Sequence, residues 1–272
     1  MHVGIYILFV WVFFLPGSAS AADSLSLIKA IPMEARSMNV DEMGNVYVVR
    51  NDNSLVKFSD GGDSLTFYRS VLNGDIGQVD VTNPLRVVVY YPAYAKVILL
   101  DRMLAPKNEL DLKKLHILGN ATVALSADGN LWVYDKFNVR LLKIDEQLQQ
   151  MGESNDLRQQ LAEVPDPAYM IERERKVYMC DSLQGIYTFD QYGSYINTLE
   201  VYGVARLQVY GTQLVYRRAD TLLSYDYKKI VDNRLALPAR STGIVSAAIG
   251  RHTLYVLYHN ELVLYRMPEQ KQ

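Results

Sequence analysis

The amino-acid sequence predicts an all-β protein in which one small unit is repeated around a ring. Three observations predict this fold: a strand–turn–strand phrase occurs six times, successive copies lie about 40 residues apart, and an additional strand precedes the first copy. A four-stranded blade takes about 40 to 45 residues, so the spacing fits one blade per copy. Together these observations predict a six-bladed β-propeller that is closed by the N-terminal strand pairing onto the last blade.

The repeated phrase is clearest in residues 126–145, where a turn and a strand are followed by a second turn and a second strand. Moved back by 44 residues without a gap, this segment overlays residues 82–101. The other four copies are shorter or more degenerate, and they occupy residues 42–60, 173–190, 211–226 and 251–265. Because self-similarity at a nearly fixed period indicates a repeat architecture, six copies predict six blades.

One position of the phrase is aromatic or β-branched in every copy, which suits a buried strand. In chain order it is held by Tyr47, Val88, Trp132, Tyr178, Val215 and Tyr255, at intervals of 41, 44, 46, 37 and 40 residues. An upstream stretch suited to an innermost strand precedes each copy, at residues 37–40, 78–81, 122–125, 168–171, 206–209 and 244–248. More polar strands, such as residues 64–69 and 195–201, suit the outer edge of a blade.

The end of the chain predicts how the ring is closed. The sixth copy ends at Tyr265-Arg-Met-Pro and leaves its blade one strand short, whereas residues 24–32 form a predicted strand that no copy uses. Pairing this strand onto the last blade would remove an exposed sheet edge, which otherwise invites aggregation.

Residues 1–21 are predicted to be a signal peptide. An unbroken apolar run from Val3 to Leu15 is followed by Pro16, Gly17 and small residues, with cleavage expected after Ala21. The run is shorter than the roughly 20 residues that a membrane-spanning helix needs, so an uncleaved anchor is the less favoured alternative. We therefore expect residues 22–272 to form one exported domain, periplasmic or peripherally associated with the outer membrane, without a transmembrane segment.

Composition argues against a lipid anchor, an internal disulfide and a nucleic-acid partner. The junction after the signal peptide has no cysteine to carry a lipid, and the single Cys180 cannot form an internal disulfide. The net charge is −2, and Lys and Arg are scattered singly or in pairs. Because nucleic-acid binding requires a concentrated basic face, we expect no nucleic-acid partner.

The sequence carries no catalytic motif, and we expect neither a metal nor a cofactor. His116, His252 and His259 lack the matched ligand spacing of a metal site. Residues 59–64, Ser-Asp-Gly-Gly-Asp-Ser, resemble a calcium loop in composition, but a tight turn between two strands is the favoured interpretation. The second turn of the phrase also collects charged residues that a propeller enzyme could use, although Asp caps turns for its own hydrogen-bonding reasons; they are Asp135, Asp181, Asp220 and Arg217.

The same turn predicts a protein-binding rim. Tyr91, Tyr94 and Phe137 occupy turn positions, where we expect side chains to reach solvent. Exposed aromatic side chains together with Arg are typical anchors of protein interfaces. We therefore expect one rim of the ring to bind a partner protein through Arg50, Tyr91, Tyr94, Phe137, Leu183 and Arg217.

Residues 134–145 and 180–193 resemble the repeats of NHL-type six-bladed propellers, and they lack the Trp-Asp ending of WD40 repeats. Residues 24–267 are similar to uncharacterised exported propellers of Bacteroidota, especially around Asn83-Pro-Leu, Leu131-Trp-Val-Tyr-Asp, Ala168-Tyr-Met-Ile-Glu and Phe189-Asp-Gln-Tyr-Gly. The resemblance brings no catalytic residues and implies an envelope-associated protein that serves larger assemblies.

The sequence thus favours a non-catalytic propeller that acts as a protein-binding scaffold or subunit of a cell-envelope complex. Two alternatives stay open. A propeller enzyme acting on a glycan or small metabolite would need charged side chains that converge at the mouth of the central tunnel. A carbohydrate-binding module would need exposed tyrosines arranged as a flat platform.

Overall fold

The computed structural model describes residues 25–119 and 121–267. In these ranges 24 strands form six antiparallel sheets of four strands each, joined by short loops and 3-10 turns. The predicted all-β propeller of six blades is confirmed. The predicted signal peptide, residues 1–21, lies outside the described residues. None of the helical segments in the described ranges has the length and apolar character that a membrane crossing needs.

The first three blades follow the chain, each with its four strands in sequence order. Blade 1 consists of β2 (Ala35–Val40), β3 (Val46–Arg50), β4 (Leu55–Phe58) and β5 (Ser64–Tyr68). Blade 2 consists of β6 (Gln78–Asn83), β7 (Arg86–Tyr91), β8 (Lys96–Asp101) and β9 (Pro106–Asp111). Blade 3 consists of β10 (Ala121–Leu125), β11 (Leu131–Asp135), β12 (Arg140–Ile144) and β13 (Gln150–Glu153).

Blades 4 and 5 repeat this order, and blade 6 takes its outer strand from the N-terminal part of the chain. Blade 4 consists of β14 (Tyr169–Arg173), β15 (Lys176–Asp181), β16 (Gly185–Asp190) and β17 (Tyr195–Leu199). Blade 5 consists of β18 (Gln208–Tyr210), β19 (Gln213–Arg218), β20 (Thr221–Asp226) and β21 (Val231–Ala236). Blade 6 consists of β22 (Ile244–Ile249), β23 (Thr253–Tyr258), β24 (Glu261–Arg266) and β1 (Ser26–Pro32).

The ring closes because the N-terminal strand pairs with the last blade, as the sequence predicts. β1 pairs antiparallel with β24, from Ser26 opposite Arg266 to Pro32 opposite Glu261, with one bulge in the register. The Lys29 ammonium then lies 2.7 Å from an Asp63 carboxylate oxygen of blade 1. The N-terminal strand therefore completes the last blade and also contacts the first one.

The core is divided among the six junctions between neighbouring blades. Six clusters of buried apolar side chains each combine residues of two adjacent blades, including the closing junction between blades 6 and 1. The six residues aligned with Trp132 are all buried in these clusters. Since each buried aromatic or β-branched side chain removes a large apolar surface from water, these positions hold neighbouring blades together.

Antiparallel order gives the ring two distinct faces. The turns between the second and third strands of every blade, and the connections from one blade to the next, lie on one face, which we call the docking face after the partner-binding rim that the sequence predicts there. The turns between first and second strands, and between third and fourth strands, lie on the other, which we call the channel face. Corresponding loops of different blades are therefore neighbours around one rim.

Removing the closing strand tests how the ring is held. We expect a chain that starts at Met33, and so lacks β1, to lose cooperative thermal unfolding or to melt more than about 10 °C below the intact protein. The reason is that the edge of β24 and the core between blades 6 and 1 become exposed. A chain that starts at Leu25 keeps β1 and serves as the control in the same calorimetric scan. Equal melting of the two chains would contradict the closure.

Candidate functional site

The structure places the six predicted rim residues on the docking face or directly beneath it. Arg50, Tyr91 and Arg217 lie at or next to the ends of second strands, whereas Tyr94, Phe137 and Leu183 lie in the turns that follow such strands. Phe137 and Leu183 belong to neighbouring blades, and their side chains are 85% and 84% exposed. Tyr94 is 45% exposed, and the Lys113 ammonium lies 5.7 Å from its ring centre.

The prediction that Tyr91 reaches solvent is wrong. Tyr91 is the last residue of β7, its side chain is 0% exposed, and it packs in the core between blades 1 and 2 with Tyr68 and Ile76. Burial raises the pKa of its phenol. The strand runs one residue further than the sequence indicates, and this keeps Tyr91 on the face of β7 that packs against blade 1, together with Val87 and Val89.

Arg217 is half-buried and is used inside the ring. Its guanidinium donates hydrogen bonds to the Ala219 carbonyl oxygen at 2.5 Å and to the Val245 carbonyl oxygen at 3.0 Å. The second bond ties blade 5 to the first strand of blade 6. Burial lowers the pKa of the Arg217 guanidinium. This side chain therefore helps to hold the rim in place, while Arg50 is exposed at the end of β3.

The connections between blades add apolar side chains that the sequence analysis missed. Val71, Leu72 and Leu118 are more than three-quarters exposed, and Val164 and Tyr202 are about half exposed. All five lie between the fourth strand of one blade and the first strand of the next, which places them on the docking face. Their signal in the sequence is an apolar residue inside a predicted loop.

Hydrogen bonds hold these connections against the turns that join the second and third strands of the blades. In the connection between blades 3 and 4, the Arg158 guanidinium donates a hydrogen bond to the Phe137 carbonyl oxygen at 2.7 Å. In the connection between blades 4 and 5, the Gly203 N–H donates a hydrogen bond to the Ser182 carbonyl oxygen at 2.8 Å. The apolar side chains of the turns and of the connections are therefore presented together by one fixed framework.

Gly185 shows why the turn that carries Leu183 has its shape. It begins β16 with φ of +108°, a backbone conformation that side chains other than glycine rarely adopt. A Cβ atom there would overlap the Leu199 carbonyl oxygen of the next strand. The turn is thus forced to be tight, and Leu183 points outward at its tip.

The acidic residues of the same turns have structural tasks, as the turn-capping interpretation predicts. The buried Asp135 carboxylate accepts hydrogen bonds from the N–H groups of Phe137 and Asn138. The buried Asp181 carboxylate accepts from the N–H groups of Leu183 and Gln184, as well as from Asp166 N–H at 2.7 Å. These oxygens are therefore already used for holding the turns.

The other motifs singled out in the sequence also occupy turns. Residues 59–63 form the tight turn between β4 and β5, and Ser64 begins β5; a hydrogen bond from Ser59 N–H to the Asp63 carbonyl oxygen at 2.8 Å closes the turn. His252 and His259 lie at opposite ends of β23, so their spacing does not bring them together. His116 ends the short helical turn Leu112–Leu115.

The channel face opens into a cavity of about 390 Å³ on the axis of the ring. It is lined by the first strands of blades 1, 2, 4, 5 and 6 and the segments that flank them, together with Val215 and Tyr216 from the second strand of blade 5. Charged groups converge there, as Asp80 and Arg173 line the wall together with Arg206. The sequence analysis did not predict these residues.

Toward the docking face the channel is narrowed by the side chain of Gln78. Its amide donates to the Val123 carbonyl oxygen of blade 3 at 2.5 Å and lies 3.5 Å from the Met170 carbonyl oxygen of blade 4. The amide thereby links three first strands. The cavity consequently opens on the channel face, away from the exposed apolar side chains of the docking face.

Comparisons with known proteins show the fold alone. No protein-family model matches the sequence, and no curated protein matches it. Among solved structures, the chain is similar to the WD40 domain of Pan2 from Neurospora crassa, with a TM-score of 0.66 and 10% identity over 92% of this chain and 97% of that chain. It is also similar to virginiamycin B lyase from Staphylococcus aureus, with a TM-score of 0.59 and 11% identity over 90% and 100%. A chain of a mitotic checkpoint complex gives 0.56 and 9% over 99% and 100%.

The role of Asp181 in capping its turn can be measured as a change in the free energy of unfolding. We expect Asp181→Ala to lower the free energy of unfolding by about 2 kcal/mol, because three backbone N–H groups lose their acceptor. The matched control is Asp220→Ala, at an exposed position of the corresponding turn in blade 5, which we expect to change it by less than about 0.5 kcal/mol. Urea unfolding measures both. Equal losses at the two positions would contradict the capping role.

Proposed function

We propose that this protein is an exported, non-catalytic propeller that acts as a binding subunit of a cell-envelope complex. One observation carries the proposal: large apolar side chains are exposed together on the docking face, on turns and connections of consecutive blades. They are Val71, Leu72, Tyr94, Leu118, Phe137, Val164, Leu183 and Tyr202. Exposed apolar side chains on neighbouring loops of a face favour protein binding, because their burial in an interface releases surface from water.

The rigidity of the turns on this face also supports the proposal. Phe137 and Leu183 stand at the tips of tight turns whose backbone is fixed by buried carboxylates. Side chains held in this way lose little backbone freedom on binding, so more of the apolar contact contributes to affinity. Arg50 on the same face adds the type of polar anchor that interfaces often contain.

Resemblance supports the location of this function. Residues 24–267 are similar to exported propellers of Bacteroidota and carry NHL-like phrases, and residues 1–21 read as a signal peptide. We therefore place the complex in the periplasm or at the outer membrane. The partner is a protein with an apolar surface of its own.

The second candidate function is that of an enzyme, which the similarity to virginiamycin B lyase favours at the level of the fold. A variant of that lyase with a histidine replaced by alanine is described as catalytically inactive. In this chain, the buried aspartates of the channel wall, Asp41 and Asp80, are engaged with backbone N–H groups. Asp80 accepts from Leu125 and Thr82 at 2.7 Å each. A binding role is therefore better supported than catalysis.

Paired surface variants test the docking face. We expect Phe137→Ser combined with Leu183→Ser to reduce partner cross-linking in envelope extracts at least about tenfold, because two apolar anchors are lost. The control combines Leu85→Ser with Tyr192→Ser, which are exposed apolar residues of the channel face. Quantitative mass spectrometry after in-cell cross-linking measures the partner. An unchanged partner set in the docking-face variant would contradict the proposal, provided that circular dichroism shows unaltered melting.

Export has its own test. We expect the protein purified from the envelope fraction of its native cells to begin at Ala22, because a signal peptidase would cut after Ala21. Mass spectrometry of the intact protein and of its N-terminal peptide measures the cleavage. Recovery of the chain from the cytoplasmic fraction with residues 1–21 still attached would contradict export, without bearing on the docking face.

A further inference from the structure

Two arginines in the wall of the central channel make few hydrogen bonds to the described part of the protein. The guanidinium of Arg206 donates one hydrogen bond, from Nη1 to the Asn39 side-chain oxygen at 2.9 Å. Arg173 donates from Nη2 to the Thr82 carbonyl oxygen at 3.2 Å. Within the described residues, neither guanidinium has a carboxylate oxygen within 4 Å. Because a guanidinium carries five N–H donors, most of their hydrogen-bonding capacity is unused.

The buried aspartates of the channel wall, Asp41 and Asp80, are hydrogen-bonded to groups other than these arginines. Burial raises the pKa of the Asp80 carboxyl, and the nearby charge of Arg173 acts against this shift. Asp80 accepts from two backbone N–H groups, one on its own strand end and one on blade 3. Asp41 accepts from the Met43 and Asn45 N–H groups, from the Asn45 amide and from the Tyr47 hydroxyl. These hydrogen bonds hold turns and neighbouring strands together.

Asn39 supplies an independent observation. Its side chain is only 8% exposed and belongs to the cavity wall, and its amide nitrogen Nδ2 has no hydrogen-bond partner in the described part of the chain. The assignment of the two amide atoms follows from chemistry, since the atom facing the Arg206 guanidinium must be the accepting oxygen. A buried N–H₂ group without an acceptor is unfavourable, so this donor points to an acceptor supplied by a ligand.

The Arg206 guanidinium is held in a defined position. It lies 5.7 Å from the ring centre of Tyr169, in a cation–π arrangement. It also donates a hydrogen bond to Asn39 of β2, which is 167 residues earlier in the sequence. Burial lowers the pKa of Arg206, which is the direction expected of a cation without a counterion. A charge fixed in this way is preorganised for an anion that enters the cavity.

We propose that the channel binds a small ligand that carries an anionic oxygen group, a carboxylate or a phosphate, through the Arg206 guanidinium and the Asn39 amide. Arg173 adds a second positive charge to the wall of the same cavity. Planar guanidinium groups match such oxygens well, because two parallel N–H donors can bond one group. The volume of about 390 Å³ falls within the range of small-molecule sites.

The mouth of the cavity restricts the other end of the ligand. Glu42 and Glu174 are exposed at the rim of the channel face and would repel a second negative charge there. The inferred ligand therefore has its anionic group inside and a neutral or cationic end outside. This site is separate from the proposed docking function, because it opens on the opposite face of the ring.

Calorimetric titration of the purified protein at low ionic strength tests the site with three probes: butyrate, butyramide and inorganic phosphate. Butyrate and butyramide have nearly the same shape and differ in charge. We expect saturable binding of butyrate, phosphate or both in the millimolar range, and binding of butyramide at least about tenfold weaker. The stronger of the two anions identifies the group that the ligand carries. Absence of saturable binding by both anions, or equal binding of butyramide, would overturn the proposal.

Two variants and one control locate the binding. Asn39→Asp keeps the shape of the wall and the acceptor for Arg206 but introduces a carboxylate, so we expect the anion to bind at least about tenfold more weakly. Arg206→Gln should have a similar effect through loss of charge. Arg251→Gln, at an exposed position in the β22–β23 turn of the same face, should leave binding within about twofold. Full anion affinity in Asn39→Asp, whose fold is the less disturbed of the two, would place the anion elsewhere and overturn the assignment.

Discussion

The pairing of β1 with β24 is the interaction on which the rest of this structure depends. Without it the last blade has three strands, and the junction between blades 6 and 1 lacks the Ile31 side chain that packs there. The other five junctions are made by strands that are close in sequence, whereas this junction joins the two ends of the chain. Because loop closure over so long a separation costs conformational entropy, a complete strand ladder is a suitable way to stabilise it. The docking face and the channel both require this closure, since each is assembled from several blades.

Within the ring, side-chain amides and carboxylates extend the hydrogen bonding from one first strand to the next. Gln208 exchanges two hydrogen bonds with the Ile249 backbone, as a neighbouring strand would, and Gln78 does the same with Val123. Asp80 adds a bond to the Leu125 N–H group. This arrangement explains why a polar channel is compatible with a stable fold, because buried polar groups are tolerated when they are hydrogen-bonded. It also makes the unpartnered donors of Asn39 and Arg206 conspicuous, since the groups around them are satisfied.

The fold could be predicted from the sequence because it depends on a repeated local pattern. Each copy carries its own strands and turns, and Trp132 and its counterparts mark the buried position. The docking face could be predicted in part, since Phe137 and Leu183 are turn residues by pattern alone. Tyr91 could not be placed correctly, because one additional residue of strand decides between core and solvent, and strand ends are set by packing between blades. The channel site could not be predicted at all, because Asn39 and Arg206 belong to different blades and meet only when the ring closes.

The two faces have different chemistry, and this difference has a physical consequence. The docking face offers apolar side chains on rigid turns and connections, whereas the channel face, which also exposes Leu85 and Tyr192, opens into a cavity with guanidinium groups in its wall. A small anion bound between blades 1, 4 and 5 would stabilise the closed ring in proportion to its concentration relative to its dissociation constant. It would alter the affinity for a protein partner only if the docking face changed shape with it, because a ligand shifts an equilibrium only through differential affinity for its two states. Since the Gln78 amide and the carboxylate-capped turns fix the intervening strands, the two proposed sites are best understood as independent features of one rigid ring.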